Sequence, residues 1–330
     1  MIFLISVVLL LIPEIYLYPM FLVVIKPSGE SKIGEIIAQV SKINDTYGKL
    51  EKIAEWESKN FTNTYGRKID IRLLWGYPIY FDSGIKVRAS YPQIPELSNN
   101  PQWIAYFKVG GCGELAYLFD EVARRAGIDA RIVTTYGEDH TWNEVRIDDK
   151  WISADPTIYS IYNIDQNNSW FDNPKFYESK PWFNISKVFV IGTQEDITYG
   201  YTNTGALQIS FTRPTDRVII RTMKNGMNRD VYLVNVNSSE LEIELGGKNY
   251  IVIAEKDVVP YLAVLRDTKD IEVVEGERTT VQLSPREFSS ETMRLFQILV
   301  WYIVLIIAIL ILAGATERPL FDKKRKRNLR

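Results

Sequence analysis

The chain has 330 residues and a mass of 38.1 kDa, with 46% apolar content, enough for about two domains with a sizeable core. Its 39 Lys and Arg against 41 Asp and Glu leave a net charge of −2, a balance that does not describe a nucleic-acid binder. One Cys and one His exclude an intrachain disulfide framework, a zinc finger and any His-rich metal centre.

Residues 1–25 are mostly aliphatic but hold Pro13, Glu14 and Pro19, without a basic leading region or a small-x-small cleavage site. They read as an uncleaved membrane anchor, with a cleaved signal or an amphipathic surface segment as the alternatives. Residues 26–200 then read as an α+β domain. Ile33, Ile36, Ile37, Val40 and Ile43 recur at helical spacing, and Leu50, Ile53, Ala54 and Trp56 extend the helical signal. Between Gly66 and Pro101 the repeated Gly and Pro predict loops with short helices or strands. Trp75, Tyr77, Tyr80, Phe81 and Tyr91 in that stretch read as core aromatics, or as the lining of a groove.

Glu114 to Ala126 carries one broad apolar face and stops at Gly127, the pattern of an amphipathic helix with a glycine C-cap. Three short strands follow, at 130–135, 141–147 and 151–154, separated by Tyr136-Gly137-Glu138-Asp139 and Asp148-Asp149-Lys150. Residues 201–288 are all β in texture, with strands expected at 206–211, 217–222, 230–236, 240–245, 249–255, 260–265, 270–275 and 278–283. Regular short strands predict a small sandwich. It holds neither Cys nor His, so a spacer or protein-partner role fits it better than chemistry.

Residues 295–315 contain no charge and match a hydrocarbon core of about 30 Å at 1.5 Å per residue. The tail 316–330 has seven basic residues against Glu317 and Asp322, a charge of +5, so the remaining chain carries −7. A Lys/Arg cluster beside a membrane helix stays cytoplasmic, which places the main domain outside the cell and makes membrane lipid a partner. Five N-x-S/T triplets, at Asn44, Asn60, Asn167, Asn184 and Asn237, are compatible with a glycosylated exterior.

The lone Cys and lone His stand in suggestive places. Cys112 sits in GGCGE at a helix start, where the first-turn N–H groups favour a thiolate, and Gly111 and Gly113 leave the sulfur unobstructed. If 141–147 and 151–154 form a hairpin, its outer ends bring His140 beside Asp155, which can then hold the imidazole tautomer. The competing account is an inert buried Cys with a structural His.

GGCGELAYLFDEVARRAGIDARIVTTYGEDHTWNEVRIDDKWISADPT also resembles the core of the transglutaminase-like superfamily, which includes peptide:N-glycanases and many microbial membrane-anchored members. The resemblance covers about Gly110 to Thr157. It implies a papain-like fold with Cys112 as nucleophile, His140 as general base and then acid, and Asp155 as the orienting carboxylate. It also implies an oxyanion donor upstream of the Cys, for which Gln102, Trp103 and the more distant Trp75 are candidates, with the Cys112 N–H as a second. Trp142 and Glu144 are expected to pack or brace the site. The implied chemistry is acyl transfer from an amide of a cell-surface protein or peptide to water or an amine, with no cofactor and no metal. The zinc-binding CxxC pairs usual in eukaryotic peptide:N-glycanases are missing, since Cys112 is alone. Two other readings remain: a glycanase-like deglycosylating enzyme, and a noncatalytic scaffold that binds peptide or glycan.

Overall fold

The computed structural model describes residues 18–63, 69–73, 77–81, 87–90, 95–162, 170–176, 184–224, 226–260 and 262–327. The helical periodicity near the N-terminus becomes α1 (Lys26–Val40), which buries Ile33, Ile36 and Val40 on one face. A π-helical turn, Phe21–Ile25, leads into it. Phe21 and Ile25, four residues apart and so on one face, pack with Leu97 and Trp103. One face of residues 18–25 is therefore docked on the folded domain, while Leu22, Val23 and Val24 are exposed; residues 1–17 lie outside the described residues.

Asp45 caps α2 (Thr46–Asn60) through its carboxylate and the Gly48 N–H, and Leu50, Ile53 and Ala54 face the core. Strand β1 (Thr62–Asn63) follows. The Gly- and Pro-broken stretch contains an antiparallel sheet of β2 (Ile69–Leu73), β3 (Tyr77–Phe81) and β4 (Val87–Ser90), while Trp75 and Tyr91 lie outside the described residues. Helices α3 (Pro95–Ser98) and α4 (Pro101–Phe107) come next, the second capped by the Asn100 side chain. β5 (Val109–Gly110) pairs in parallel with β1.

Helix α5 (Cys112–Arg125) starts two residues before the apolar pattern suggests, because Gly111 acts as its N-cap and the Glu114 carboxylate reaches back to the Gly111 N–H at 2.9 Å. It buries Leu115, Leu118, Phe119 and Val122, and it ends as expected at Gly127, whose φ of +83° is the glycine-favouring region. Against it lies a four-stranded sheet in the order β8-β7-β6-β9, built from β6 (Ala130–Thr135), β7 (His140–Ile147), β8 (Lys150–Ala154) and β9 (Phe189–Val190). Asn143 of β7 donates to the Ala116 carbonyl at 3.0 Å and ties sheet to helix. The β7–β8 loop is Asp148-Asp149 alone, both with positive φ (47° and 62°), which is the tight turn whose twist suits a hairpin. Helix α6 (Pro156–Tyr162) continues from β8 after Asp155.

The C-terminal half stacks two sheets. One is β13-β10-β16, from β10 (Thr204–Phe211), β13 (Glu240–Gly246) and β16 (Arg278–Leu283). The other is β12-β11-β14-β15-β17, from β11 (Arg217–Lys224), β12 (Met227–Asn235), β14 (Lys248–Val259), β15 (Ala263–Val273) and β17 (Glu287–Phe288). Leu207, Ile209, Val218, Ile220, Leu245 and Val252 fill the space between them. The separate strands expected at 260–265 and 270–275 are one strand, β15. The polar run between them is no turn: Arg266 pairs with Glu255 across the ladder at 2.7 Å, and Asp267 accepts the Ser284 N–H at 2.7 Å. Polar side chains with such partners let a strand run on where composition alone suggests a break.

Helix α7 (Ser290–Arg327) closes the described chain, and Ser290–Ile311 is long and apolar enough to cross a membrane, with Thr292 buried in its first turn and residues 293–311 all exposed on the protein. It is the one such helix among the described residues.

Candidate active site

The hairpin arithmetic sets the site. With Ile147 opposite Lys150 and Asn143 opposite Ala154, the open end of β7–β8 carries His140 on one side and Asp155 on the other. His140 Nε2 and Asp155 Oδ2 are 2.7 Å apart, and both side chains are almost wholly buried. Asp155 holds still because its other oxygen, Oδ1, accepts the N–H groups of Thr157 (2.9 Å) and Ile158 (3.0 Å) at the start of α6. One carboxylate thus caps a helix and engages the imidazole.

Burial opposes a charged His140, yet the charge and hydrogen bond of Asp155, joined by Cys112 beside the ring, raise its pKa to about 10. Cys112 opens α5 at partial exposure, and its Sγ lies 3.9 Å from the Asp139 carbonyl, one residue before His140. Asp139 has φ of +56°, so the turn before β7 bends this carbonyl under a left-handed residue. Gly111 is the helix N-cap and Gly113 has open space where a Cβ would stand.

Trp142 is fully buried and stacks on His140, with ring centroids 5.4 Å apart and planes 19° from parallel. Its Nε1 donates to Tyr201 Oη (3.0 Å), and Tyr201 donates to Glu144 Oε1 (2.8 Å). Arg131 donates to Glu144 Oε2 at 2.6 Å from the neighbouring strand. The imidazole face therefore rests on a hydrogen-bonded series of four side chains. Tyr201 carries no signal in the sequence, since it is one of 19 tyrosines, lies 57 residues from Glu144 and belongs to no motif.

A second unexpected group pins the turn before His140. Glu138, buried, accepts from Ser186 Oγ (2.7 Å), from Lys248 Nζ (2.6 Å) and from Thr135. Lys248 belongs to β14, so the sandwich reaches the turn directly. Gly137 lets the two halves approach closely there, because a Cβ would come within 2.0 Å of the Val231 side chain on β12 and one of them would have to shift.

The upstream oxyanion candidates are placed otherwise engaged: Gln102 Nε2 donates to Glu30 at 3.1 Å, and Trp103 is buried against Phe21 and Phe107. Trp75 lies outside the described residues. Among the described residues no group of three or more His, Cys, Asp or Glu is disposed to hold a metal.

Residues 80–156 match the transglutaminase-like superfamily, a stretch that contains Cys112, His140 and Asp155. The chain thus has a distant transglutaminase-like relationship centred on the α5 and β6–β8 unit. The human peptide-N(4)-(N-acetyl-β-glucosaminyl)asparagine amidase is 28% identical over 147 residues, covering 43% of this chain and 21% of that enzyme. The same enzyme from Rattus norvegicus is 26% identical over 147 residues, covering 44% of this chain and 21% of its own length. The matched part of this chain thus spans about a fifth of the length of these relatives. A solved structure described as a TGase aligns with a TM-score of 0.29 and 14% identity, over 42% of this chain and 34% of that one.

Proposed function

We propose that this chain is a membrane-anchored cysteine amidase acting on side-chain amides of protein or peptide substrates, with N-glycosylated asparagine the favoured donor. The 2.7 Å contact between His140 and Asp155, on the hairpin end that faces the α5 start bearing Cys112, is the observation that carries this reading. The similarity to asparagine amidases over 147 residues favours the glycosylated donor.

In this mechanism the Cys112 thiolate attacks the amide carbonyl carbon, and the electron pair of the C=O collects on oxygen, where the Cys112 N–H at the helix start stabilises it. As the carbonyl re-forms, the C–N bond breaks and the His140 imidazolium delivers its proton to the leaving nitrogen. The product amine departs, leaving a thioester. Water, deprotonated by His140, attacks that carbon; the C–S bond breaks, and a carboxylate leaves. Asp155 stabilises the imidazolium without itself taking the proton. The basic tail orients the enzyme with its main domain on the extracellular side.

The test is incubation of the full chain, in detergent or bilayer, with a synthetic peptide bearing a chitobiose-linked asparagine. Mass spectrometry should show asparagine converted to aspartate with release of the glycan amine, and Cys112→Ala should abolish the conversion. A glutamine peptide with an added primary amine forms the comparison arm. Transfer there without deglycosylation would replace the glycosylated donor, and turnover by Cys112→Ala on either substrate would overturn the nucleophile.

A further inference from the structure

We propose that the tip of the β14–β15 hairpin is a second membrane contact, seated in the lipid interface beside the start of α7. This goes beyond the amidase reading and rests only on α7 crossing a bilayer.

The tip is apolar without being buried. Val258, Val259 and Leu262 are 50%, 44% and 62% exposed, and the turn closes through the Leu262 N–H to the Val259 carbonyl at 3.0 Å. Phe288, opposite Leu265 in the ladder, and Met293, in the first turn of α7, add 41% and 46% exposed apolar side chains. A sandwich edge in water ordinarily carries charge at such a place.

The same hairpin is tied to the membrane helix. Leu265 stands opposite Phe288 in the β15–β17 ladder, and the Ser289 N–H donates to the Val264 carbonyl at 2.9 Å. Thr292, in the first turn of α7, accepts the Val264 N–H on its Oγ1 at 3.0 Å, and Ser289 and Thr292 are both buried. The ladder is antiparallel, so the chain passing through Glu287 to Ser289 runs toward the tip. Leu262 is two residues from Val264, about 7 Å at strand rise. Leu295, where the apolar run begins, is three residues from Thr292, about 4.5 Å at helical rise. The polar layer of one leaflet is about 5–8 Å thick, so a tip tied to Thr292 falls within it.

Charge marks the same level. The first charged residues back from the tip are all paired: Lys256 with Asp216 (2.6 Å), Asp257 with Arg217 (3.0 Å), and Arg266 with Glu291 of α7 (3.1 Å). Paired charges thus stand behind the apolar tip on both strands, and an exposed apolar surface that ends at a charged level gains from burial at the headgroup boundary. Two attachments, a helix and a hairpin tip, would hold the sandwich at one tilt on the bilayer.

The experiment uses the full chain at one copy per phosphatidylcholine nanodisc, in a Cys112→Ser background, with an environment-sensitive NBD label on Leu262→Cys. Glu272→Cys, at the far end of β15, and Ile306→Cys, within α7, are the reference sites. The label at 262 should emit to the blue of the label at 272 and be quenched by headgroup-level nitroxide lipids, while 306 is quenched by deep ones. Water-like emission at 262 with a membrane-like 306 overturns the tip contact alone; water-like emission at both overturns the span as well. A blue shift at 262 that appears only when several copies share a bilayer assigns the tip to a second copy of this chain and also overturns the proposal.

Discussion

Two β-hairpins in this protein follow the same alternation and put their distinctive residues at opposite ends. In β7–β8 the closed end is a two-residue turn whose Asp149 pairs only with nearby Arg146 (3.0 Å), and the open end brings His140 to Asp155. In β14–β15 the open end leads back into the sandwich, and the closed end presents Val258, Val259 and Leu262. An open end joins residues that are distant along the chain, so it suits a site in which two groups must meet. A closed end extends away from the body, so it suits contact with something outside.

The sharpest way to break the first half of this comparison is Asp155→Asn. The amide oxygen can still cap α6, so the fold should persist while kcat falls on the order of 10³–10⁴-fold, as for a triad whose orienting carboxylate is neutralised. An unchanged rate in steady-state assays would remove Asp155 from the site. The single histidine gives a second measurement on the same pair. Its one imidazole resonance should titrate far above the ordinary 6.5, near the value of about 10 set by Asp155 and Cys112, and fall in Asp155→Asn. Because the folded pKa is raised, the stabilisation from protonated His140 is complete below about 6.5 and is lost as pH rises through about 10. Denaturant unfolding of the parent and of His140→Gln at pH 6 and pH 10 should therefore converge at the higher pH.

Next in size comes the contact between the halves. Lys248→Met strands the buried Glu138 carboxylate and should cost roughly 3 kcal/mol in unfolding free energy. Adding Glu138→Gln should recover much of that loss, and kcat in the single variant should drop, since the disturbed turn carries Asp139 and leads to His140. A sandwich that is only a spacer would leave kcat untouched. Tyr201→Phe removes two hydrogen bonds behind the imidazole and should cost about 1–2 kcal/mol, with a smaller fall in kcat. Smallest is Asp149→Gly at the closed end of β7–β8. Relief of its φ of 62° should stabilise by about 0.5 kcal/mol and leave kcat unchanged.

The hairpin β7–β8 was readable because alternation and a two-residue Asp-Asp turn are local, and a turn of known length sets the register that puts His140 near Asp155. Helix α5 was readable for the same reason, from its apolar face and Gly127, though its start moved back to Cys112 through the Glu114 cap. The sandwich was legible as a class. Its strand boundaries were not, because β15 continues through a polar run satisfied by Glu255 and Ser284, partners 11 and 17 residues away, and β17 adds a short strand at its end. At the N-terminus, Phe21 and Ile25 show why composition alone does not assign a surface: an aliphatic run looks alike whether it faces lipid or Trp103.

By itself, the sequence determined the periodicities, the turn at Asp148-Asp149, the membrane-length helix and the scarcity that singles out Cys112 and His140. These depend on neighbours within a few residues, where backbone geometry leaves few choices. Tertiary structure alone decided that Tyr201 links Trp142 to Glu144, that Lys248 grips Glu138 across 110 residues, and that an apolar hairpin tip lies beside the start of α7. Such contacts depend on burial and on which surfaces meet when the sheets and helices stack, and no local pattern in the chain encodes the meeting.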